Sequence, residues 1–144
     1  MSAAPPLAGV IGWPIGHSRS PRLHGHWLRR YRIDGHYIPI ALSPEAFEAG
    51  LRALPQLGFR GVNVTIPHKE AALALATTTT ERARAIGAAN TLTFGPDGSI
   101  HADNTDGYGF VANLRQHVPG WDPAAGPALV LGAGGAARGI VAAL

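Results

Sequence analysis

An α/β fold built on a three-layer, mostly parallel mixed sheet is predicted by three features of the sequence. Short apolar runs with strand-like spacing alternate with segments that carry helix-start signals, in the order βαβαβα. That order argues for a mostly parallel sheet. Near the end of the chain, Gly132-Ala133-Gly134-Gly135-Ala136-Ala137 follows a last apolar run. That order predicts the first β-α unit of a Rossmann-like dinucleotide-binding domain. The expected organisation is a first domain over residues 1–104, then a linker helix and the start of a second domain over residues 105–144.

Residues 7–12 read as the first strand and residues 13–19, rich in Gly, Pro, His and Ser, as a loop. Ser20 is a natural N-cap, and Pro21 suits the first helical position, where its missing N–H would be unpaired anyway. Leu23, Trp27 and Tyr31 recur at i, i+4 and i+8 and give this helix one apolar stripe. Residues 36–42 form the second strand, and Ser43-Pro44-Glu45 repeats the cap, proline and acid start ahead of a helix striped by Phe47, Leu51 and Leu54. Residues 61–66 read as the third strand, closed by Pro67, which lacks a ladder donor and pushes Ile66 toward extended geometry. A helix over 69–76 follows.

Thr78-Thr79-Thr80-Glu81 has the spacing of a capping box and predicts a short helix through Ile86. Residues 90–94 and 99–102 flank Pro96-Asp97-Gly98 and read as a hairpin. Residues 105–118 are expected to be helical, with Phe110 and Leu114 one turn apart. After a Pro- and Gly-rich stretch over 119–127, residues 128–131 read as a buried strand running into Gly132. Functional loops of such sheets lie at the carboxyl ends of the strands, which directs attention to residues 13–19, 67–69 and 103–107.

The 144 residues carry twelve Lys and Arg against nine Asp and Glu, with 46% hydrophobic and 15% charged residues, the balance of a globular chain. The absence of Cys excludes a disulfide scaffold, a thiolate metal site and a thiol nucleophile. No apolar run approaches the roughly 20 residues of a membrane span, and residues 1–12 lack the basic flank of a signal peptide. A cytoplasmic protein with no membrane partner is expected. The pI near 10 follows from eleven Arg and one Lys against few acids. The densest cluster, Arg29, Arg30 and Arg32, has no interleaved aromatics and reads as a solvated helix face, so no nucleic-acid partner is expected.

Four constellations carry chemistry. In the glycine turn, Gly132, Ala133, Gly134, Gly135 and Ala136 permit close backbone approach to a dinucleotide pyrophosphate, weighed against a plain glycine-rich turn. The residue that would select NAD or NADP lies some 20 positions beyond that turn, past Leu144. In the third strand, period two places Asn63 and Thr65 on one face, opposite Val62, Val64 and Ile66. Lys69 follows as the only lysine, a residue that, unlike arginine, can be tuned to transfer a proton. The competing reading gives Asn63 and Thr65 ordinary backbone partners and makes Lys69 a solvated first-turn residue.

Asp103-Asn104-Thr105-Asp106-Gly107 reads as a helix N-terminus, where Asn104 or Thr105 caps and the helix dipole favours the Asp106 anion. Lys69 and Asp106 are both expected at strand carboxyl ends, where they can meet. Gly16-His17-Ser18-Arg19-Ser20 nearly spells a nucleophile elbow but ends in Ser20 where the sharp turn requires glycine. Two hydroxyls beside a helix N-terminus suit a carboxylate ligand instead. His24 and His26, two apart in a helix, point in different directions, and with His17 they predict no metal site.

Taken together, Pro14-Ile15-Gly16-His17-Ser18-Arg19-Ser20-Pro21 with His24, Asn63-Val64-Thr65-Ile66-Pro67-His68-Lys69, Gly87-Ala88-Ala89-Asn90-Thr91, Asn104-Thr105-Asp106-Gly107 and the 132–138 glycine turn resemble the shikimate dehydrogenase family in order and spacing. The resemblance covers the whole chain. It implies an NADP-dependent oxidoreductase interconverting shikimate and 3-dehydroshikimate in aromatic amino-acid biosynthesis, with NAD left open. It also implies that residues 1–104 form the shikimate-binding catalytic domain.

Carried over residue by residue, Ser18 and Ser20 hold the substrate carboxylate, and Thr65, Lys69, Asn90 and Asp106 contact the ring hydroxyls together with Asn63. Lys69 and Asp106 form the catalytic pair, and residues 132–136 line the cofactor. Trp13, Gly25 and the 77–80 threonine run depart from the family pattern beside these positions. Because the chain stops soon after the glycine turn, the expectation is an N-terminal fragment that does not turn over alone. The alternatives are a quinate-preferring relative and a non-catalytic assembly module, including a homodimer joined through residues 128–144.

Overall fold

The computed structural model describes residues 5–144. Six strands form one sheet: β1 (Leu7–Gly12), β2 (His36–Ala41), β3 (Phe59–Val64), β4 (Thr78–Thr79), β5 (Thr91–Phe94) and β6 (Ile100–Asp103). Their spatial order is β2-β1-β3-β5-β6-β4. Strand β1 pairs in parallel with β2 and β3, and β4 with β6, while β5 runs antiparallel between β3 and β6. The sheet is mixed and mostly parallel, its one reversed strand supplied by the β5–β6 hairpin that the 96–98 turn signals. Six helices accompany it: α1 (Ser20–Arg30), α2 (Phe47–Ala53), α3 (Lys69–Ala74), α4 (Glu81–Ile86), α5 (Asp106–His117) and α6 (Gly135–Val141).

Period two divides the sheet into two faces. On one, Ile11 pairs with Val64 and Val62 with Leu92, and these pack with Phe47 and Leu51 of α2 and Ala72 of α3 in a buried cluster reaching Phe94, Ile100 and Ala102. Each large apolar side chain so buried contributes roughly 1.5–3 kcal/mol, so this face supplies most of the cohesion. The other face carries Val10, Tyr37 and Asn63 and meets α1, whose His24 ring stacks on Tyr37 with centroids 4.0 Å apart. Helices thus cover both faces, as a three-layer arrangement requires.

Helix α1 meets the sheet through a face its apolar spacing did not predict. Its more buried side is Pro21, His24, Gly25 and Leu28, whereas Leu23, Trp27 and Tyr31 are exposed. The helix covers the edge strand β2 and a little of β1, too small a surface to bury a full stripe. Ser20 begins the helix instead of capping it; Ser18 Oγ accepts the Ser20 N–H at 3.3 Å. Residues 43–46 form a turn, closed by the Ala46 N–H on the Ser43 carbonyl, and α2 starts only at Phe47.

Three further boundaries move for lack or gain of a ladder partner. Strand β3 lies two residues earlier than expected, because its last partners are Ile11 on β1 and, for Asn63, Thr91 on β5. Ile66, expected in the strand on one face with Val62 and Val64, falls outside it and is 75% exposed. Thr78 and Thr79 pair with β6 as β4, so the cap of α4 falls to Thr80, whose Oγ1 accepts from the Ala83 N–H at 3.2 Å. The strand expected over 128–131 does not form, and Leu129 and Leu131 are 86% and 89% exposed. A parallel strand needs strand neighbours and cover on its faces, and no described strand pairs with this segment.

Helix α6 forms all the same, packed on α5 and α4. A Cβ at Gly107 would stand 2.5 Å from the Gly139 carbonyl oxygen and 2.8 Å from Ala143 Cβ. Glycine there lets α5 and α6 touch backbone to backbone. Arg138 Nη2 meets Glu70 Oε1 at 2.8 Å and ties α6 to α3.

Candidate active site

The ends of β3 and β6 and the start of β5 deliver three side chains to one point. A turn closed by the His68 N–H on the Thr65 carbonyl, at 3.0 Å, carries the chain from β3 into α3 and its first residue, Lys69. His68 is buried, stacked on Phe47 with centroids 4.3 Å apart, and its Nε2 lies 2.8 Å from the Leu42 carbonyl. A carbonyl only accepts, so Nε2 bears the proton and the first turn of α3 is pinned to the loop after β2.

Asp106 opens α5. The buried Asn104 caps it, its Oδ1 accepting the Asp106 N–H at 3.0 Å while its Nδ2 donates to the Ala88 carbonyl at 2.8 Å. Of the two caps the sequence allows, the side chain of Asn104 serves and that of Thr105 does not. One residue earlier, the Asp103 carboxylate accepts from Arg82 Nε at 2.6 Å, from Arg82 Nη2, from Thr80 Oγ1 at 2.8 Å and from the Asn104 N–H at 2.7 Å. Hydrogen bonding to the Arg82 guanidinium, helped by Thr80 and the backbone, holds the Asp103 carboxyl well below the usual carboxylate range. The β6–α5 junction is therefore fixed from α4.

At the meeting point Lys69 Nζ donates to Asp106 Oδ2 at 2.5 Å, and Asn90 Nδ2 donates to Asp106 Oδ1 at 2.8 Å. The side chains of Lys69 and Asp106 are 19% and 33% exposed, a charge-assisted pair that keeps one open side. Asn90 is oriented by the Thr105 N–H, which donates to its Oδ1 at 3.0 Å, and by Thr91 Oγ1 at 2.9 Å. Asn63 joins the cluster through Nδ2, which donates to the Asn90 carbonyl at 3.3 Å and to Thr91 Oγ1 at 3.2 Å.

The 13–19 loop borders the same rim: the Trp13 N–H donates to the Ile66 carbonyl at 3.1 Å and the Thr65 N–H to the Ile11 carbonyl at 2.9 Å. Ser18 caps the start of α1, and Ser20 lies against the Tyr37 hydroxyl. Thr65 and Lys69 line one wall of a cleft of about 380 Å³ whose other wall is Gly134, Gly135 and Ala136. Gly132, with φ +126°, and Ala133 stand exposed outside it. His24 is held by Tyr37 and by an edge contact with Trp27, and burial lowers its pKa. Among the described residues no group of three His, Asp or Glu is placed to hold a metal ion. No described helix is long and apolar enough to cross a membrane.

A family profile described as the shikimate dehydrogenase substrate binding domain matches residues 10–92. The chain belongs to the shikimate dehydrogenase family. A relative named shikimate dehydrogenase (NADP(+)) from Paracoccus denitrificans is 68% identical over 139 residues, covering 96% of this chain and 49% of the relative. Shikimate dehydrogenase from Aquifex aeolicus superposes with a TM-score of 0.92 at 34% identity, over 99% of this chain and 53% of that one. Shikimate 5-dehydrogenase from Thermus thermophilus, solved with NADP(H) and shikimate, superposes with a TM-score of 0.87 at 39% identity, over 96% and 51%. The chain spans about half the length of the curated relatives it matches.

Within this member of the shikimate dehydrogenase family, the fold brings Lys69, Asp106, Asn90 and Asn63 into one bonded cluster and sets Thr65 beside Lys69. Sequence reasoning missed Thr91, Tyr37 and the Arg82–Asp103 pair. A signal for Tyr37 was present, since period two in residues 36–41 puts it on the face opposite Ile38 and Ile40. Arg82 gave no such signal, because its partner lies 21 positions away.

Proposed function

We propose that this chain supplies the substrate-binding and proton-transfer half of an NADP-dependent shikimate dehydrogenase interconverting shikimate and 3-dehydroshikimate. The observation that carries the reading is the Lys69–Asp106 contact at 2.5 Å, braced by Asn90 at the strand ends of a domain of this family. Residues 1–104 form the catalytic domain, and residues 105–144 are a linker helix and the start of the dinucleotide-binding domain.

Oxidising a ring hydroxyl to a ketone removes a hydride from carbon and a proton from oxygen. Bound NADP would supply the hydride acceptor in that direction and the hydride donor in the other. In oxidation the amine form of Lys69, beside the Asp106 carboxylate, takes the hydroxyl proton and becomes the ammonium, and in reduction that ammonium returns a proton to the forming alkoxide. Asp106 holds Lys69 Nζ at the reacting oxygen, and Asn90 fixes the carboxylate by occupying its other oxygen. Ser18 and Ser20 receive the substrate carboxylate, and Asn63, Thr65 and Asn90 take the ring hydroxyls. Gly134, Gly135 and Ala136 fit the cofactor diphosphate, since a Cβ at either glycine would meet nothing within 4 Å and the three residues face Lys69 across the cleft. Gly132 and Ala133 complete that turn.

The test is NADP reduction by the enzyme that carries this chain as its first half, with shikimate and quinate compared. Turnover of shikimate with quinate much poorer supports the reading, and the reverse preference replaces it with a quinate dehydrogenase. A second reading, an assembly module or homodimer joined through residues 128–144, is favoured by the exposure of Leu129, Leu131 and Val141. Comparing the oligomeric state of this chain with that of a version ending at Gly120 separates the two.

A further inference from the structure

A seam of polar side chains crosses the α1 side of the sheet to Asp106, and the backbone fixes its donor and acceptor sense at two points. The Asn90 carbonyl accepts from Asn63 Nδ2, so the Asn63 amino group faces β5 and its Oδ1 faces β2. The Thr105 N–H donates to Asn90 Oδ1, which leaves Asn90 Nδ2 to face Asp106. Between them Thr91 Oγ1 accepts from Asn63 Nδ2 at 3.2 Å and donates to Asn90 Oδ1 at 2.9 Å. Asn63 Oδ1 lies 2.7 Å from the Tyr37 hydroxyl, and an amide oxygen only accepts, so Tyr37 is the donor.

We propose that Tyr37 is a positioning residue of the substrate site: its hydroxyl locks the Asn63 carboxamide, leaving Asn63 one free lone pair and no free N–H. Toward a ligand Asn63 is then an acceptor only, matched to a hydroxyl that donates. The stack of His24 on the Tyr37 ring, 4.0 Å apart and within 3° of parallel, holds the phenol in place. Burial pushes the phenol up to about 12, so it keeps its proton through neutral and mildly alkaline pH. The consequence for ligand binding rests on the shikimate reading above, whereas the lock itself does not.

The test is nuclear magnetic resonance of the isotope-labelled chain, comparing wild type with Tyr37→Phe, which keeps the ring on His24 and removes only the hydroxyl. The Asn63 side-chain amide protons bond the Asn90 carbonyl and Thr91 Oγ1. Without the Tyr37 anchor on Oδ1 the carboxamide is expected to leave those partners more often, so these protons exchange with water about ten-fold faster in the variant, the worth of about one net hydrogen bond. Backbone amides of Ile11, Val64 and Leu92 stay unchanged. Unaltered Asn63 exchange overturns the proposal. Should Tyr37→Phe fail to fold, the wild-type hydroxyl proton decides: a slowly exchanging signal with a cross-peak to Asn63 supports the lock, and none in a folded chain overturns it.

A binding cycle then reads the consequence. Tyr37→Phe weakens shikimate binding on its own but adds less than about two-fold on an Asn63→Ala background, as expected for residues acting as one unit. Fully additive losses place the effect at Ser20 or in packing and overturn the positioning role. If wild type binds no shikimate, the functional reading fails, and the exchange measurement still decides Tyr37.

Discussion

Lys69 is the residue on which the chemistry turns, because its amine can exchange a proton at the strand ends while bonded to the carboxylate of Asp106. Replacing it with Ala in the enzyme that carries this chain is expected to lower turnover about 10²–10⁴-fold, the range for loss of a general acid–base group. Shikimate affinity should change far less, and steady-state kinetics resolve the two; an unchanged turnover number contradicts the assignment. Asn104 acts by structure. Its replacement by Ala removes the bond to the Asp106 N–H and orphans the Ala88 carbonyl, at a cost of about 1–3 kcal/mol for a buried cap. Chemical denaturation should show that loss.

At the scale of elements, Gly25 of α1 and Gly107 of α5 make opposite predictions. A Cβ at Gly25 would meet only Arg29 Nη1, at 3.6 Å, so nothing in the surroundings demands glycine. Gly25→Ala should stabilise α1 by about 0.5–1 kcal/mol, raising Tm by a few degrees. Gly107→Ala drives a methyl into the Gly139 carbonyl, so it should separate α6 from α5 and destabilise, visible as faster amide exchange in α6. The Arg82–Asp103 pair predicts a pH effect of definite sign. Asp103 titrates lower folded than unfolded, so its contribution to stability is full above the ordinary aspartate value near 3.9 and fades as pH falls below it. Arg82→Ala should therefore lower stability at pH 7, with a gap to wild type that narrows on acidification; a gap that widens in acid contradicts the pairing.

Over the whole molecule, the sheet and the chemical residues were legible in sequence for different reasons. The parallel pairing of the first strands and the reversed hairpin follow from apolar runs alternating with helix-start signals and from Pro96-Asp97-Gly98, which act locally. Lys69 and Asp106 stood out as charged groups at strand carboxyl ends, and Asn90 through the resemblance of Gly87-Ala88-Ala89-Asn90-Thr91 to the family pattern. Illegible were features decided by neighbours far along the chain. Thr78 and Thr79 become a strand only because β6 offers them an edge, α1 turns Leu23 and Trp27 outward because its footing is a single edge strand, and residues 128–131 stay unpaired for want of adjoining strands.

The most direct test of the central claim is a calorimetric titration of the 144-residue chain with shikimate, beside a Ser18→Ala/Lys69→Ala double variant. Saturable binding by the wild-type chain that is lost in a folded double variant is the predicted result. A folded wild-type chain that binds no shikimate, or a double variant that binds it equally well, contradicts the claim that these residues form the substrate site.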